Sequence, residues 1–328
     1  MKYACTKCLM PFLASLLLAM VAPLVAQAQL VSGLQGASGS TIGPDGAIYV
    51  TEGAAGRLTR VDPWNGDTTT YATGLPPSLI GIGGAVDVAF VDEVAYVLVT
   101  LVDFEVGGSD PSGIYRMDAP DSFTLVANIS AFAVENPPAT DFFLPTGVQY
   151  AMEPFRGGLL VTDGHHNRVY WIRLDGTVTE FNVFGNIVPT GLAVHGKTVF
   201  MAEAGPTPHD PEDGKVMAFE PKSLTPVEIA SGAPLLVDVE FGLGRSLYAL
   251  AQGEWSGQFG GDGSPADPFT GSLVKVNEDG TFTVLAEGLN QPTSMEFIDN
   301  TAYIVTLGGD ILKIDNVSSP PYGRGRRH

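Results

Sequence analysis

Cysteine is nearly missing from this chain of 328 residues, and its two copies, Cys5 and Cys8, both lie close to the N-terminus. The rest of the sequence can therefore form no disulfide bridge, thiolate zinc site or catalytic thiol. About 300 residues are enough to bury a core without such cross-links. Stability must come from packing and hydrogen bonding.

Basic residues are also scarce, with 17 Lys and Arg against 36 Asp and Glu and a formal net charge of -19. Nucleic acids and anionic membranes are bound through clusters of Lys and Arg, so neither is an expected partner. The exception is residues 318–328, which contain Arg324, Arg326 and Arg327 behind two prolines. This composition is typical of a disordered, solvated basic tail.

Only one long hydrophobic run occurs, at residues 9–25, and two lysines precede it. It ends at Ala26-Gln27-Ala28, a small-residue pattern typical of signal-peptide cleavage. Residues 1–28 are predicted to be a signal peptide, so that the mature chain begins at Gln29. Its removal takes away two lysines and no acid, which changes the net charge from -19 to -21. The sequence predicts an exported protein, periplasmic or extracellular, with no membrane contact after cleavage.

Common catalytic motifs are absent as well. No Gly-x-Ser-x-Gly, His-Glu-x-x-His, phosphate-loop or dinucleotide-binding pattern occurs after residue 28, so the usual hydrolase, metalloprotease and nucleotide-driven mechanisms lack support. Long stretches of helical periodicity are missing too. Short segments rich in Val, Tyr, Phe and Thr alternate with Gly, Pro, Asn and Asp, which is typical of an all-β protein.

The chain does contain a sequence repeat that occurs six times. Each copy consists of a short apolar strand, a turn, a second strand ending in a small or acidic residue, and a third strand. The copies are 44 to 60 residues apart, which is the period of propeller blades. They begin near Gly39, Asp87, Gly147, Gly191, Asp238 and Ser294. The sequence predicts an all-β, six-bladed β-propeller over residues 29–317.

The sixth repeat stops after three strands, near residue 314. Residues 30–34 (Leu-Val-Ser-Gly-Leu) resemble the ends of the first and fifth repeats, at residues 72–75 and 286–289. We therefore expect residues 29–34 to form the outer strand of the last blade. Pairing the two ends of the chain would close the ring and leave no long sheet edge exposed.

Four phrases, Pro44–Glu52, Pro145–Val148, Asp163–Val169 and Pro189–Ala193, look like NHL-type propeller repeats. Over about 290 residues, with long insertions in the second and fifth repeats, the sequence resembles the exported ScyD/ScyE family. The resemblance implies a signal-bearing, six-bladed propeller associated with assembly of the pigment scytonemin. It implies no established reaction.

Five carboxylates are predicted to ring one mouth of the propeller channel. Asp87 and Asp238 begin inner strands half a turn apart, whereas Glu52, Asp163 and Glu203 end second strands whose loops share that face. Such a ring could bind a cationic ligand, hold Ca²⁺ or another divalent ion, or raise a carboxyl pKa. Asp87, Glu203 and Asp238 are the candidate metal ligands. Solvated strand ends and capped turns are the alternative for each residue.

His165 and His166 are the catalytic candidates, because histidine serves as a base or a metal ligand near neutral pH. Adjacent residues of an extended segment point apart, so at most one should face the channel; an ordinary exposed turn is the alternative. Trp255 is a ligand-binding candidate in a glycine-rich insertion, which is predicted to be a lid or an ordered loop packed on the rim. His209 lies in an acidic loop that lacks the register of a helix-loop-helix calcium site.

Three functions remain open. A hydrolase of the gluconolactonase type would place Asn, Asp or Glu just before the repeated glycine to hold a divalent ion, but none of the six residues here is of that type: Ser38, Val86, Thr146, Thr190, Val237 and Thr293. Such an enzyme would need a relocated metal site. We favour a monomeric binding or accessory protein that takes a small molecule in the acidic mouth. A scaffold for an exported protein partner is the third possibility.

Overall fold

The computed structural model describes residues 27–208, 213–261 and 263–318, which form six four-stranded antiparallel sheets. Each sheet is one blade, and its inner strand contacts the inner strands of the two neighbouring blades around a closed ring. The prediction of an all-β, six-bladed β-propeller is confirmed.

The strands follow chain order from the inner to the outer edge of blades 1 to 5, whereas the outer strand of blade 6 is the N-terminal β1. Blades 1 to 3 consist of β2 (Ala37–Ile42), β3 (Ile48–Glu52), β4 (Arg57–Val61) and β5 (Thr68–Thr73); β6 (Gly84–Val91), β7 (Val94–Thr100), β8 (Gly113–Ala119) and β9 (Ser122–Asn128); β10 (Gln149–Phe155), β11 (Gly158–Asp163), β12 (Arg168–Arg173) and β13 (Val178–Val183). Blades 4 to 6 consist of β14 (Pro189–His195), β15 (Thr198–Glu203), β16 (Gly214–Phe219) and β17 (Val227–Ala233); β18 (Leu236–Phe241), β19 (Leu247–Ala251), β20 (Gly271–Val276) and β21 (Phe282–Leu289); β22 (Pro292–Ile298), β23 (Thr301–Thr306), β24 (Ile311–Ile314) and β1 (Gln27–Val31).

All six inner strands begin at one face of the ring, here called the upper face, and end at the opposite, lower face. Because the strands within a blade alternate in direction, the connection from the first to the second strand lies on the lower face. The connections from the second to the third strand, and from one blade to the next, lie on the upper face. The long insertions at residues 101–112, 129–148 and 252–270 are therefore all upper-face loops.

The ring closes where β1 pairs with β24. The partners are Gln27 with Ile314, Ala28 with Lys313, Gln29 with Leu312 and Val31 with Ile311. The predicted closure is confirmed, but the strand lies earlier than the predicted 29–34. It ends at Val31 because Gly33 takes a positive φ of 79°, which turns the chain toward β2.

Both faces of each blade are buried against neighbouring blades, which explains why the second strand of each blade is nearly continuously apolar. All five residues of β19 are buried, for example. Tyr49 of blade 1 packs edge-on against Phe90 of blade 2, with 4.8 Å between the ring centroids. The core is thus a circle of interfaces between sheets.

Within the part of the chain that the structure describes, one short α-helix interrupts the all-β pattern. Helix α1 (Ile129–Glu135) follows β9, and the Asn128 side chain caps its start by accepting a hydrogen bond of 2.8 Å from the Ala131 amide. Seven residues are too few to give a detectable helical period in the sequence. No helix within the described residues is long and apolar enough to cross a bilayer.

Candidate functional site: an acidic cavity on the ring axis

A cavity of about 50 Å³ lies on the axis of the ring, between the inner strands. This volume accommodates a few water molecules or a small cation. Its acidic lining residues are Asp87, Glu153, Asp238, Glu240 and Glu296. No lysine, arginine or histidine of the described residues lines it.

Asp87 and Asp238 join neighbouring blades. Asp87 accepts hydrogen bonds from the amide of Val88, at 2.8 Å, and from the amide of Met152 in blade 3, at 2.6 Å. Asp238 repeats the arrangement half a turn away: it accepts from Val239 at 2.9 Å and from Met295 in blade 6 at 2.7 Å. The two carboxylates therefore act as clamps between inner strands.

The blade before each clamp supplies a glycine. A Cβ at Gly39 would lie 2.3 Å from Asp87 Oδ1, and a Cβ at Gly191 would lie 2.4 Å from Asp238 Oδ1. Any side chain there would collide with the carboxylate. The ring consequently has two similar halves, blades 1 to 3 and blades 4 to 6, with matching sequences Val-Asp-Val at residues 86–88 and 237–239.

Tyr150 spans the cavity at its upper end. Its hydroxyl, carried by blade 3, donates a 3.0 Å hydrogen bond to the Thr293 carbonyl of blade 6, which lies directly opposite in the ring. Burial raises the pKa of Tyr150 well above its usual value, and the charges of Asp238 and Asp87 raise it further. The hydroxyl stays protonated and keeps this hydrogen bond. The Tyr150 side chain therefore crosses the upper end of the cavity, and Asp87 and Asp238 lie below it rather than at an open channel entrance.

Three glutamates complete the lining, and the sequence analysis did not identify them. Glu153, Glu240 and Glu296 lie on the inner strands of blades 3, 5 and 6. Each lies two residues beyond the residue that aligns with Gly39 in the strand register, which is Ala151, Asp238 or Ser294. Two residues of strand correspond to about 6 to 7 Å, so these carboxyls lie closer to the lower face. The available signal was the period of two along an inner strand, as in Asp238 and Glu240.

The pKa values of these five acids are all raised. Burial raises the pKa of Asp87 and of Glu240 to about 7. Burial likewise raises the pKa of Glu153, Asp238 and Glu296 well above the usual range, and repulsion from the other cavity carboxylates adds to the effect. At neutral pH the cluster holds protons that isolated carboxyls would have lost.

These shifts predict that the protein loses stability as pH rises. A folded-state pKa above the unfolded value stabilises the fold at low pH, and this contribution disappears as pH passes the folded pKa. Burial lowers the pKa of His165 and His166, which acts in the opposite direction below about pH 6.5. Between pH 6.5 and 8.5 we expect the free energy of unfolding to fall by about 2 to 4 kcal/mol, measured by urea titration. The double variant Glu240→Gln with Glu296→Gln should flatten this slope, and an unchanged slope would contradict the assignment.

Glu52, predicted to be at the channel mouth, lies away from the cavity in an ion pair. It is fully buried, and Arg57 donates to both of its carboxylate oxygens at 2.7 Å. Burial alone would raise the pKa of Glu52, but the bonds from Arg57 and Thr59 outweigh it and hold the pKa below its usual value. This carboxylate therefore has a structural partner.

Glu203 occupies the corresponding position in blade 4 but is not paired in the same way. It stands opposite Lys215 in the strand register, yet the Lys215 ammonium lies 3.1 Å from Glu228 instead. Burial raises the pKa of Glu203 to about 7; Lys215 lowers it and Glu228 raises it. Glu203 does not line the axial cavity.

Asp163 and the two candidate histidines form a buried network in blade 3. Asp163 accepts from the Tyr170 hydroxyl at 2.9 Å. His166 Nδ1 faces Arg168 Nη2 at 2.9 Å, and because arginine only donates, His166 must donate from Nε2 to the Leu144 carbonyl. His165 Nε2 accepts from two loop amides at 3.0 Å each. Each histidine is thus fixed as a neutral tautomer that holds the 141–147 loop, away from the axial cavity.

Trp255 packs against Leu235 and Ala266, and its indole nitrogen donates to Ser264 Oγ at 2.9 Å. It therefore orders the insertion of blade 5 on the rim. Of the five acids predicted to share one mouth, the structure brings together only Asp87 and Asp238. His209 and residues 319–328 lie outside the described residues.

The predicted start of the third repeat, Gly147, and the residue before it, Thr146, are wrong. The amides of Gly39 and Ala151 each bond the hydroxyl of a second-strand threonine at 3.0 Å, so Ala151, not Gly147, is the equivalent position. The residue before it is Tyr150 rather than Thr146. Four extra residues in blade 3 displaced the alignment, and the corrected position still carries neither an acid nor an amide.

The geometry of the acidic side chains also bears on the predicted metal ligands, Asp87, Glu203 and Asp238. Within residues 27–208, 213–261 and 263–318, no three His, Asp or Glu side chains lie close enough together to hold a metal ion. Asp87 and Asp238 already use both carboxylate oxygens on backbone amides.

Comparison with known proteins places the fold but not the function. No family model and no curated protein sequence matches this chain. It is similar in structure to a gluconolactonase from Xanthomonas campestris, with a TM-score of 0.61 and 11% identity over 88% of this chain and 89% of that one. A PQQ-bound aldose sugar dehydrogenase from Streptomyces coelicolor matches with a TM-score of 0.59 and 14% identity, covering 90% and 99%. A virginiamycin B lyase from Staphylococcus aureus matches with a TM-score of 0.55 and 12% identity, covering 89% and 98%.

Proposed function

We propose that this propeller is an exported binding protein that takes a primary ammonium group into its axial cavity. The observation that carries the proposal is the row of three glutamates, Glu153, Glu240 and Glu296, which line one cavity with no basic side chain beside them. A cluster of partly ionised carboxyls attracts a cation, because the bound charge relieves their mutual repulsion.

The size and chemistry of the cavity favour an ammonium group over a bare metal ion. A primary ammonium donates up to three hydrogen bonds of about 2.7 to 2.9 Å, which are longer than the metal–oxygen bonds of about 2.0 to 2.6 Å that a divalent ion requires. It can therefore bind to one or two of the cavity glutamates without the close convergence of three carboxylates. A cavity of about 50 Å³ fits such a head group. Since Tyr150 bars the upper end, the rest of an amine ligand would extend through the lower face.

The proposal is tested with ethylammonium chloride as the probe and the melting temperature at pH 7.5 as the readout. A ligand at ten times its dissociation constant stabilises a protein by about 1.4 kcal/mol, or roughly 3 to 5 °C. We expect this shift in the unmodified protein and its loss in Glu240→Gln with Glu296→Gln. The same variant should be more stable than the parent without ligand, because it removes buried charge.

Three controls make the test decisive. Glu278→Gln removes one charge from an exposed lower-face turn and should leave the ethylammonium shift intact. Ethanol, which has nearly the same size but no charge, should give none. A shift with calcium chloride but not with ethylammonium would overturn the proposal in favour of a divalent ion.

Export and pathway complete the proposal. The N-terminal pattern supports secretion, and the resemblance of the repeats to the ScyD/ScyE family supports an accessory role in an exported secondary-metabolite pathway. We favour binding over hydrolysis because the ring nitrogens of His165 and His166 are engaged with the loop at 141–147 and with Arg168. A monomer is sufficient, since one chain encloses the whole cavity.

A further inference from the structure

The described chain ends on the lower face, beside the acidic cavity. After β24 the amides of Val317 and Ser318 bond the Asn300 carbonyl, at 3.0 and 3.3 Å. Ser318 is only 1% exposed, and its Oγ fills the space that a Cβ on Gly242 would need, 2.3 Å away. The chain has thus turned inward, from the third strand of blade 6 to the loop that follows inner strand β18.

This endpoint is close to the cavity glutamates. Glu240 lies only two residues before Gly242 in the chain, a separation of about 7 Å along an extended strand. Glu296 lies on the neighbouring inner strand β22. A segment leaving Ser318 therefore starts within about 10 Å of the lower opening.

The segment that follows carries the opposite charge. Residues 319–328 read Ser-Pro-Pro-Tyr-Gly-Arg-Gly-Arg-Arg-His and contain no acid. An extended chain covers at most about 3.5 Å per residue, so Arg324 reaches about 20 Å from Ser318 and Arg327 about 30 Å. Both distances are ample for the lower opening.

Among residues 27–208, 213–261 and 263–318, no basic side chain lines the cavity. The charges that act on Glu296 are those of Glu240, Asp238, Glu153 and Asp87. Three basic side chains on the lower-face loops, Arg156, Lys197 and Arg245, are not among the lining residues. Guanidinium groups form strong, two-pronged bonds with carboxylates, which makes arginine a suitable occupant.

We propose that the C-terminal arginines of this chain dock on Glu240 and Glu296 at the lower opening and act as a tethered cation for the axial cavity. This inference rests on the same acidic site as the proposed function. A tethered group acts at an effective concentration in the millimolar range, so a free amine must displace the tail before it can bind.

Cross-linking tests the docking without any ligand. The substitutions Arg324→Lys, Arg326→Lys and Arg327→Lys keep the charge and introduce amines that a zero-length carbodiimide joins to carboxylates in contact. Mass spectrometry should find the tail joined to the peptides that contain Glu240 and Glu296. Adding Glu240→Gln and Glu296→Gln should remove these products, whereas adding Glu278→Gln should not. About 1 M salt should suppress them, since it shortens the screening length to about 3 Å.

A second measurement separates this inference from the proposed function. Full-length protein with Arg324→Ala, Arg326→Ala and Arg327→Ala should bind ethylammonium about tenfold more tightly than the parent. If the tail lysines form no cross-links, or form them equally with exposed acids such as Glu278, the proposed docking of the tail is wrong even if ethylammonium binds. Cross-links confined to Glu240 and Glu296 would support it even if no variant binds ethylammonium, in which case the proposed function alone fails.

Discussion

A chain that begins at Ser32 is expected to lose its soluble folded state, whereas a chain that begins at Gln27 keeps it. Removing β1 breaks all its pairs with β24 and uncovers the apolar side chains that Val31 shields, including Ile311 and Val305. Burial of Leu30 and Val31 alone stabilises the fold by about 3 kcal/mol or more. Strand β24 would in addition become an exposed sheet edge, which can pair with other chains and cause aggregation. Size-exclusion chromatography and circular dichroism measure the outcome.

Two further chains make the result specific. One that begins at Gln29, the predicted mature start, loses the strand pairs of Gln27 and Ala28 and the hydrogen bond from the Gln27 side chain to the Glu287 carbonyl, and should be destabilised by about 1 to 2 kcal/mol. A synthetic peptide of residues 27–34 should restore the chain that begins at Ser32. If the chain that begins at Ser32 melts within a few degrees of the chain that begins at Gln27, closure of the ring does not depend on β1.

Replacing both clamps, Asp87→Ala with Asp238→Ala, should cost about 4 to 12 kcal/mol of unfolding free energy. Each change leaves two buried amides without an acceptor, at about 1 to 3 kcal/mol each. The two carboxylates accept from different amides, so the losses of these hydrogen bonds should add. The repulsion between Asp87 and Asp238 is the one interaction that couples the two effects. Urea denaturation of the single and double variants measures this sum.

Asparagine is an informative replacement at both positions. An amide offers one oxygen to a pair of N–H donors and turns its own NH₂ toward the other, so a smaller loss of stability should remain. Asp175→Ala, at an exposed turn where the carboxylate accepts from Thr177, is the matched control and should cost less than 1 kcal/mol. Equal losses at Asp175 and Asp87 would contradict the clamp.

The fold was predictable because the same strand pattern occurs six times in the sequence, once for each blade. The spacing between copies and the missing fourth strand of the last repeat were enough to give the blade number and the closure. Exact registers were less accessible. Blade 3 carries four extra residues, and matching Gly147 to Gly39 placed its repeat start four residues before Ala151.

The candidate site was predicted only in part, for a physical reason. Asp87 and Asp238 stood out because they begin repeats, but their bonds to the amides of Met152 and Met295 join segments about 60 residues apart in the chain. Glu52 was assigned to the channel because its bonding to Arg57 is visible only once β3 and β4 are aligned. Glu153 and Glu296 were missed because nothing in a single strand tells which of its two sides meets the axis.

The matching clamps of the two halves have a consequence for the symmetry of the molecule. The junction from blade 2 to blade 3 uses the same residue types as the junction from blade 5 to blade 6: a Val-Asp-Val strand and the amide of a methionine that precedes a glutamate. The two junctions are therefore related by about half a turn around the ring axis, which gives the clamps an approximate twofold symmetry. The charge of the cavity does not follow this symmetry, because Ala89 of blade 2 occupies the position of Glu240 in blade 5, so blades 4 to 6 carry one more cavity carboxylate than blades 1 to 3.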